Sequence, residues 1–334
     1  MPLISILVPC FNTEKFLQQC LDTLRNQTLK DIEIICVNDG STDATLNILE
    51  KNRIQDPRIK IIDKKNTGYG DSMNIALDNA KGKYIGIVEP DDYVDLEMFQ
   101  ALYDAAEKFD LDKVRCLYHD VFKDRISIPT FDFVEKNKIF CPTQAPEIFF
   151  LPPAIWSCLY KRDLITQNNI RFLTTPGASF QDTSFAFKTN ALARRMMVLN
   201  RAYHFYRQES GSNSVKNKEK VDFVRLEWEE IYKFVRKNKK SLSTLFPTMA
   251  MVQHNTYNWN YERIDEKFRL GFLFDWWKEA LVHHLKGETK FKELTKYHRP
   301  IEATILFFPF LYRIAKRNKK IEILLKSAAK RIFL

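Results

Sequence analysis

The chain has 334 residues, 45% of them hydrophobic, and a formal net charge of +10. That is enough apolar material for one large domain with an appendage, or for two domains, and it excludes a disordered chain. The basic balance favours acidic partners, whether nucleic acid, anionic lipid or phosphorylated substrates, and does not choose among them.

The six cysteines are scattered, with no C-x-x-C pair and no histidine at zinc spacing, so they read as reduced core thiols of a cytosolic protein. The first residues, Met1-Pro2-Leu3-Ile4-Ser5-Ile6, lack the basic start and cleavage site of a signal peptide. No apolar run reaches the roughly 20 residues that a membrane-spanning helix takes. A soluble or peripheral protein is expected.

In chain order, Leu3 to Val8 reads as a strand ending at Pro9-Cys10-Phe11-Asn12. Phe16, Leu17, Cys20, Leu21 and Leu24 then mark one face of a helix capped by Asn12 or Thr13. A second strand, Ile32 to Val37, runs into Asn38-Asp39-Gly40-Ser41-Thr42-Asp43, and a helix follows through Leu46 and Leu49. A third strand, Ile59 to Ile62, leads to Lys64-Lys65-Asn66-Thr67-Gly68-Tyr69-Gly70 and a helix carrying Met73, Ala76, Leu77 and Ala80. The run Tyr84 to Val88, bounded by Gly82 and Pro90, reads as a strand buried on both faces and ends in Glu89, Asp91 and Asp92.

This rhythm argues for an α/β protein with a mostly parallel, doubly wound sheet. Ligands of such sheets bind outside the carboxyl ends of the strands, where the three carboxylates sit. Packed carboxylates suggest a divalent cation and, through it, a diphosphate. The plainer reading is that Asp91 and Asp92 cap the helix carrying Leu96, Phe99, Tyr103 and Ala106. A dinucleotide-binding G-x-G-x-x-G is missing after the first strand, and no G-x-x-x-x-G-K-[ST] occurs.

Val8-Pro9-Cys10-Phe11-Asn12, Val37-Asn38-Asp39-Gly40-Ser41-Thr42-Asp43, Asn66-Thr67-Gly68 and Glu89-Pro90-Asp91-Asp92, in this order and spacing, resemble the family 2 glycosyltransferases of GT-A fold. The resemblance covers roughly residues 3 to 215. It implies that Pro9, Phe11, Asn12, Asp39, Asn66, Gly68 and Asp91 contact a UDP-sugar donor, with Phe11 on the uracil and Asp39 accepting from its ring nitrogen. An Asx-turn with Gly40 is the local alternative for Asp39. Asp91 and Asp92 match the D-x-D region, where one aspartate approaches the ribose and the last helps hold Mn2+ or Mg2+. Glu89 stands where an aspartate is usual, and Met73 stands where many members have arginine, so Lys65 is a candidate to supply that contact.

The second half carries Ile155-Trp156-Ser157-Cys158-Leu159-Tyr160-Lys161-Arg162, where Trp156 is a candidate to stack on an acceptor sugar, with core packing as the alternative. A strand is expected around Val114 to Val121. In Gly177-Ala178-Ser179-Phe180-Gln181-Asp182 the resemblance implies a Glu-Asp pair whose aspartate is the base; Gln181 replaces the glutamate and Asp182 remains. A helix N-cap is the structural alternative for Asp182, since Phe185, Thr189, Leu192 and Met196 follow at helical spacing. Tyr203-His204-Phe205-Tyr206-Arg207, with the serines up to Ser214, resembles the family's closing segment; Arg207 would meet the donor phosphates or pair with Glu209, and His204 reads as packed.

From Lys216 the composition shifts to helix formers, with Trp228, Ile231 and Val235 on one face and a further helix around Trp276-Trp277. The last stretch mixes Ile305 to Leu311 with Arg313, Lys316, Arg317, Lys319, Lys320, Lys326, Lys330 and Arg331. It suits a helix lying on an anionic membrane, a solvated basic face, or a junction to another domain, and it has no nucleic-acid-binding motif.

The expected organisation is a GT-A domain over 1–215, split into a nucleotide-sugar half (1–110) and an acceptor half (111–215), followed by a helical C-terminal region over 216–334. The implied activity is inverting, metal-dependent transfer from a UDP-sugar to a glycan or lipid-linked acceptor, in the cytoplasm or at the inner face of the membrane. Synthesis of a bacterial surface polysaccharide, capsule or lipopolysaccharide, is the implied setting. A nucleotidyltransferase and a nucleotide-sugar-binding protein without turnover are the alternatives.

Overall fold

The computed structural model describes residues 1–208 and 221–289. The chain divides into two compact units, Met1–Ser214 and Val215–Leu334.

The first unit begins β1 (Ile4–Cys10), α1 (Leu17–Arg25), β2 (Ile32–Asp39), α2 (Thr45–Gln55), β3 (Ile59–Lys64), α3 (Tyr69–Asn79) and β4 (Tyr84–Ile87). It continues β5 (Tyr93–Val94), α4 (Met98–Phe109), β6 (Lys113–Val121), β7 (Ile126–Ser127), β8 (Ile139–Phe140), β9 (Cys158–Lys161), α5 (Arg162–Thr166), α6 (Gln181–Leu192) and β10 (Met196–Arg207). All ten strands form one sheet, with the order β3-β2-β1-β4-β9-β6-β10-β5 and with β7 beside β6 and β8 beside β10. β1 to β4 are mutually parallel, whereas β9 runs antiparallel to both β4 and β6.

The apolar runs become central strands because both faces are covered. Along β1, Ile4, Ile6, Val8 and Cys10 enter one core with Leu17, Cys20, Leu21 and Leu24 of α1 and Phe99 and Leu102 of α4. Leu7, between them, enters the opposite core with Met73, Ala76 and Leu77 of α3 and Phe185 of α6. β2 splits the same way, Ile34 and Cys36 to one side and Ile35 and Val37 to the other. All six thiols are free, five of them buried.

The chain winds outward from β1 through β2 to β3, then returns to place β4 on the other side of β1. This reversal opens a crevice at the carboxyl ends of β1 and β4. α3 forms one wall of it and holds the segment 172–177 in contact. Asn74 of α3 donates to the Phe172 carbonyl and accepts from the Phe172 amide, both at 3.0 Å, and the Tyr69 amide donates to the Gly177 carbonyl at 3.1 Å. At Gly70 there is no room for a side chain, since a Cβ would lie 1.9 Å from the Leu173 carbonyl oxygen.

The second unit, within its described residues, is helical: α7 (Phe223–Lys237), α8 (Lys239–Leu242), α9 (Phe246–Arg263) and α10 (Glu266–Leu285). Trp228, Ile231 and Val235 are buried on one face of α7 as their spacing predicts. Arg225 and Tyr257 both bond Glu279, at 2.7 Å each, joining α7, α9 and α10. The basic stretch 304–334 lies outside the described residues. No described helix is long and apolar enough to cross a membrane.

Replacing Gly70 by alanine drives its new carbon into fixed backbone, and overpacking of this kind costs about 1–3 kcal/mol or more. Gly70→Ala is therefore expected to lower the urea midpoint clearly relative to the parent chain, and an unchanged midpoint would contradict the close packing.

Candidate active site

At the end of β1, Phe11 is 46% exposed. Pro9 is buried in β1 and paired with Val37. Asn12 is in the left-handed conformation, φ 53°. Its side-chain oxygen accepts from the Thr42 amide at 2.8 Å and its own amide donates to Ser41 Oγ at 3.0 Å. Asn12 therefore ties the β1 loop to the β2 loop. It does not cap α1, whose N-cap is Phe16 without a side-chain bond.

Asp39 closes β2 and organises the neighbouring loop. Its carboxylate accepts from the amides of Thr67 and Gly68, both at 2.9 Å, and from the Lys64 ammonium. The expected Asx-turn with Gly40 is not made, because the carboxylate reaches across to the β3–α3 loop. Asn66 completes the link by donating to the Asp39 carbonyl at 3.0 Å. Gly40, at φ +68°, has the Asn66 amide 2.8 Å from where a Cβ would stand. Lys64 also reaches Thr67 and lies 3.3 Å from Asp71. Lys64 holds Asp39, and the pairing of β2 with β3 brings it there, a contact distinct from the donor contact for which Lys65 is the candidate. Met73 is fully buried in the α3 core, so the departure at that position faces the sheet.

The three carboxylates after β4 separate into different roles. Glu89 accepts from the Tyr69 hydroxyl at 2.7 Å. Burial, together with the charges of Asp91, Asp92 and Asp182, pushes its carboxyl up to about 8. Asp91 is half-buried. Asp92, expected as a metal ligand, is 1% exposed, with one oxygen 2.9 Å from His204 Nε2 and the other accepting from the Arg207 amide at 2.8 Å. Each oxygen of Asp92 thus already has a partner within the protein, an engagement that suits a supporting role beside Asp91. Neither aspartate caps α4, which begins at Met98 after Asp95 has bonded the Glu97 amide. Burial pushes Asp92 well up and His204 down to about 3, so burial disfavours charge on either partner.

Asp182 arrives from the far side of the crevice. It lies in the first turn of α6, whose N-cap is Phe180 at φ 65°, so the capping alternative is not what the structure shows. Burial raises its carboxyl to about 6, against hydrogen bonds from Thr183 that lower it. Its charge acts on Glu89, Tyr69 and Tyr160, which places it with the β4 carboxylates although the chain separates them by about ninety residues.

Two expected contacts are engaged elsewhere. Trp156 is 9% exposed, stacked on His204 and Tyr206 at centroid distances of 4.3 and 5.0 Å and edge-on to Tyr118. It packs across the paired strands β6 and β10, the core-packing alternative for this residue. The Arg207 guanidinium sits over Phe16 and Tyr93 and bonds Gln19, and its charge acts on Asp92. Glu209 and the serines up to Ser214 lie outside the described residues. The Asp92–His204 pair, 112 positions apart, had no signal in the sequence beyond the burial expected of His204.

The carboxylates suit a hard cation such as Mg2+ or Mn2+, which takes oxygen ligands. Among the described residues no group of three or more His, Cys, Asp or Glu side chains could hold a metal alone. A cation here would be bound through one or two carboxylates together with phosphate oxygens of a ligand, a usual arrangement for Mg2+.

Comparison with known proteins gives consistent matches. An uncharacterized glycosyltransferase, EpsJ of Bacillus subtilis, is 34% identical over 222 residues, 63% of this chain and 62% of EpsJ. The chain thus spans about three fifths of that relative's length. Among solved structures, S. aureus TarS 1-349 in complex with UDP superposes with a TM-score of 0.68 at 20% identity, covering 95% of this chain and 91% of that one. A mannosyltransferase of Pyrobaculum calidifontis with GDP-Man and Mn2+ gives 0.50 at 14% identity, covering 99% and 87%. These likenesses show the fold, a GT-A type mixed sheet flanked by helices. Residues 5–199 match the family described as Glycosyl transferase family 2, and the chain belongs to that family.

Proposed function

We propose that this chain is an inverting glycosyltransferase that moves a sugar from a UDP-sugar to a glycan or lipid-linked acceptor with the help of a divalent metal. The observation that carries the reading is that Tyr69 bonds Glu89 through its hydroxyl and Gly177 through its amide, tying the loop that bears Asp182 to the β4 carboxylates. Inversion needs a base on the acceptor hydroxyl, on the face opposite the leaving diphosphate. The printed ligands of the fold neighbours, UDP in one and GDP-Man with Mn2+ in the other, support a nucleotide-sugar and a metal. A bacterial surface polysaccharide is the proposed product class, with synthesis at the cytoplasmic side.

In this reading Phe11 lies against the uracil and Asp39, held by Lys64 and two amides, accepts from its ring N–H. Asp91 would hold the metal, which would offset charge on the departing diphosphate. Asp92 and His204 fix the backbone that presents Asp91. Asp182 accepts the proton of the acceptor hydroxyl as that oxygen bonds to the anomeric carbon and the bond to UDP breaks. Burial suits Asp182 to the task, because a base near 6 is ionised at neutral pH yet more basic than an exposed carboxylate.

Asp182→Asn is expected to keep UDP affinity and to lose transfer by about a hundredfold or more; unchanged transfer would remove Asp182 as the base. For the parent chain, transfer should fall about tenfold per pH unit below about pH 6, as protonation disables the base, and a rate flat to pH 5 would contradict this. Lys64→Met should weaken UDP binding by about tenfold, on the order of 1.4 kcal/mol, in calorimetric titration, and unaltered affinity would detach Asp39's support from nucleotide binding.

A further inference from the structure

The segment that delivers Asp182 is tied by the side chain of Gln181, which is 2% exposed. Its Nε2 donates to Thr175 Oγ1 at 2.7 Å, to the Gly177 carbonyl at 3.2 Å and to the Thr175 carbonyl at 3.4 Å. Its Oε1 accepts from the buried Ser179 amide. An amide fits this set and an ionised carboxylate does not, since one end faces carbonyls and the other faces an N–H. The loop it closes contains two left-handed residues, Gly177 at φ 70° and Phe180 at φ 65°, so its path depends on such ties.

The Gly177 carbonyl is shared. It accepts from Gln181 and also from the Tyr69 amide at the start of α3. The residue before Tyr69 is Gly68, whose amide bonds Asp39. A continuous chain of bonds therefore runs from Asp39 through Gly68, Tyr69 and Gly177 to Gln181, the residue preceding Asp182.

We propose that Gln181 is a positioning residue that sets Asp182 against the nucleotide half of the site, through the shared Gly177 carbonyl. This rests on the reading of Asp182 as the base. A glutamate at 181 would accept from Ser179 but could not donate to the Gly177 carbonyl, and it would add a charge next to Asp182, which already faces Glu89, Tyr69 and Tyr160. The neutral amide keeps both the geometry and the charge of the base as the site needs them.

The test compares Gln181→Glu and Thr175→Val with the parent chain for UDP affinity, for kcat and KM of transfer, and for the acid limb of the pH profile. Gln181→Glu is expected to keep UDP affinity within about twofold, to lose kcat by about tenfold or more, and to move the acid limb upward. Thr175→Val removes one acceptor without adding charge, so kcat should fall by about threefold with the limb unmoved and thermal stability retained. An unchanged kcat and limb in Gln181→Glu would overturn the proposal, as would a loss of kcat matched by an equal loss of UDP affinity. Full transfer by Asp182→Asn would instead overturn the base reading, whatever the Gln181 variant does.

Discussion

The approach of the 173–177 segment to the first turn of α3, with Leu173 against Gly70 and Gly177 against Gly68, is the contact on which the candidate site depends. A Cβ at Gly68, φ +100°, would stand 3.0 Å from the Gly177 amide, and at Gly70 it would collide with the Leu173 carbonyl. Two glycines flanking Tyr69 thus let one loop lie directly on another. The same turn gives two amides to Asp39 on one side and one amide to Gly177 on the other. Hydrogen bonds made by backbone in this way are short and directional, and they transmit position better than flexible side chains do.

The second constraint is electrostatic. Glu89, Asp92 and Asp182 gather with Asp91 at one crevice, and burial there disfavours the charged forms of Glu89, Asp92 and Asp182. The fold manages this unevenly. Tyr69 serves Glu89, His204 and the Arg207 amide serve Asp92, and Thr183 serves Asp182. Such a concentration of raised carboxyls is characteristic of functional sites, and a cation with its phosphate ligand would offset it.

Much of this was legible in the sequence, for identifiable reasons. β1, β2 and β4 could be read because a strand buried on both faces is a continuous apolar run, with alternate residues such as Ile6 and Leu7 entering opposite cores. The polar residues just past those runs, Phe11 excepted, were legible as loops at strand ends, where ligands of open sheets bind. What remained hidden depends on contacts across the chain. Asp92 and His204 look like separate candidates until β5 pairs with β10 and brings them together. Trp156 could be a platform or core until Tyr206 and His204 cover its face. That Lys64 holds Asp39 follows only from the register of β3 on β2. Helical spacing from Phe185 continued to Met196, yet α6 ends at Leu192 and Met196 opens β10, because local periodicity does not fix where a helix stops.

The most direct test of the central claim is calorimetric titration of the purified chain with UDP, with and without Mn2+, alongside an Asp91→Ala variant. The account predicts binding that strengthens with Mn2+ and a loss of at least about tenfold in the variant when Mn2+ is present. Equal affinity with and without Mn2+, or an Asp91→Ala chain that binds as the parent does, would contradict the assignment of the β4 carboxylates to a metal-bound diphosphate.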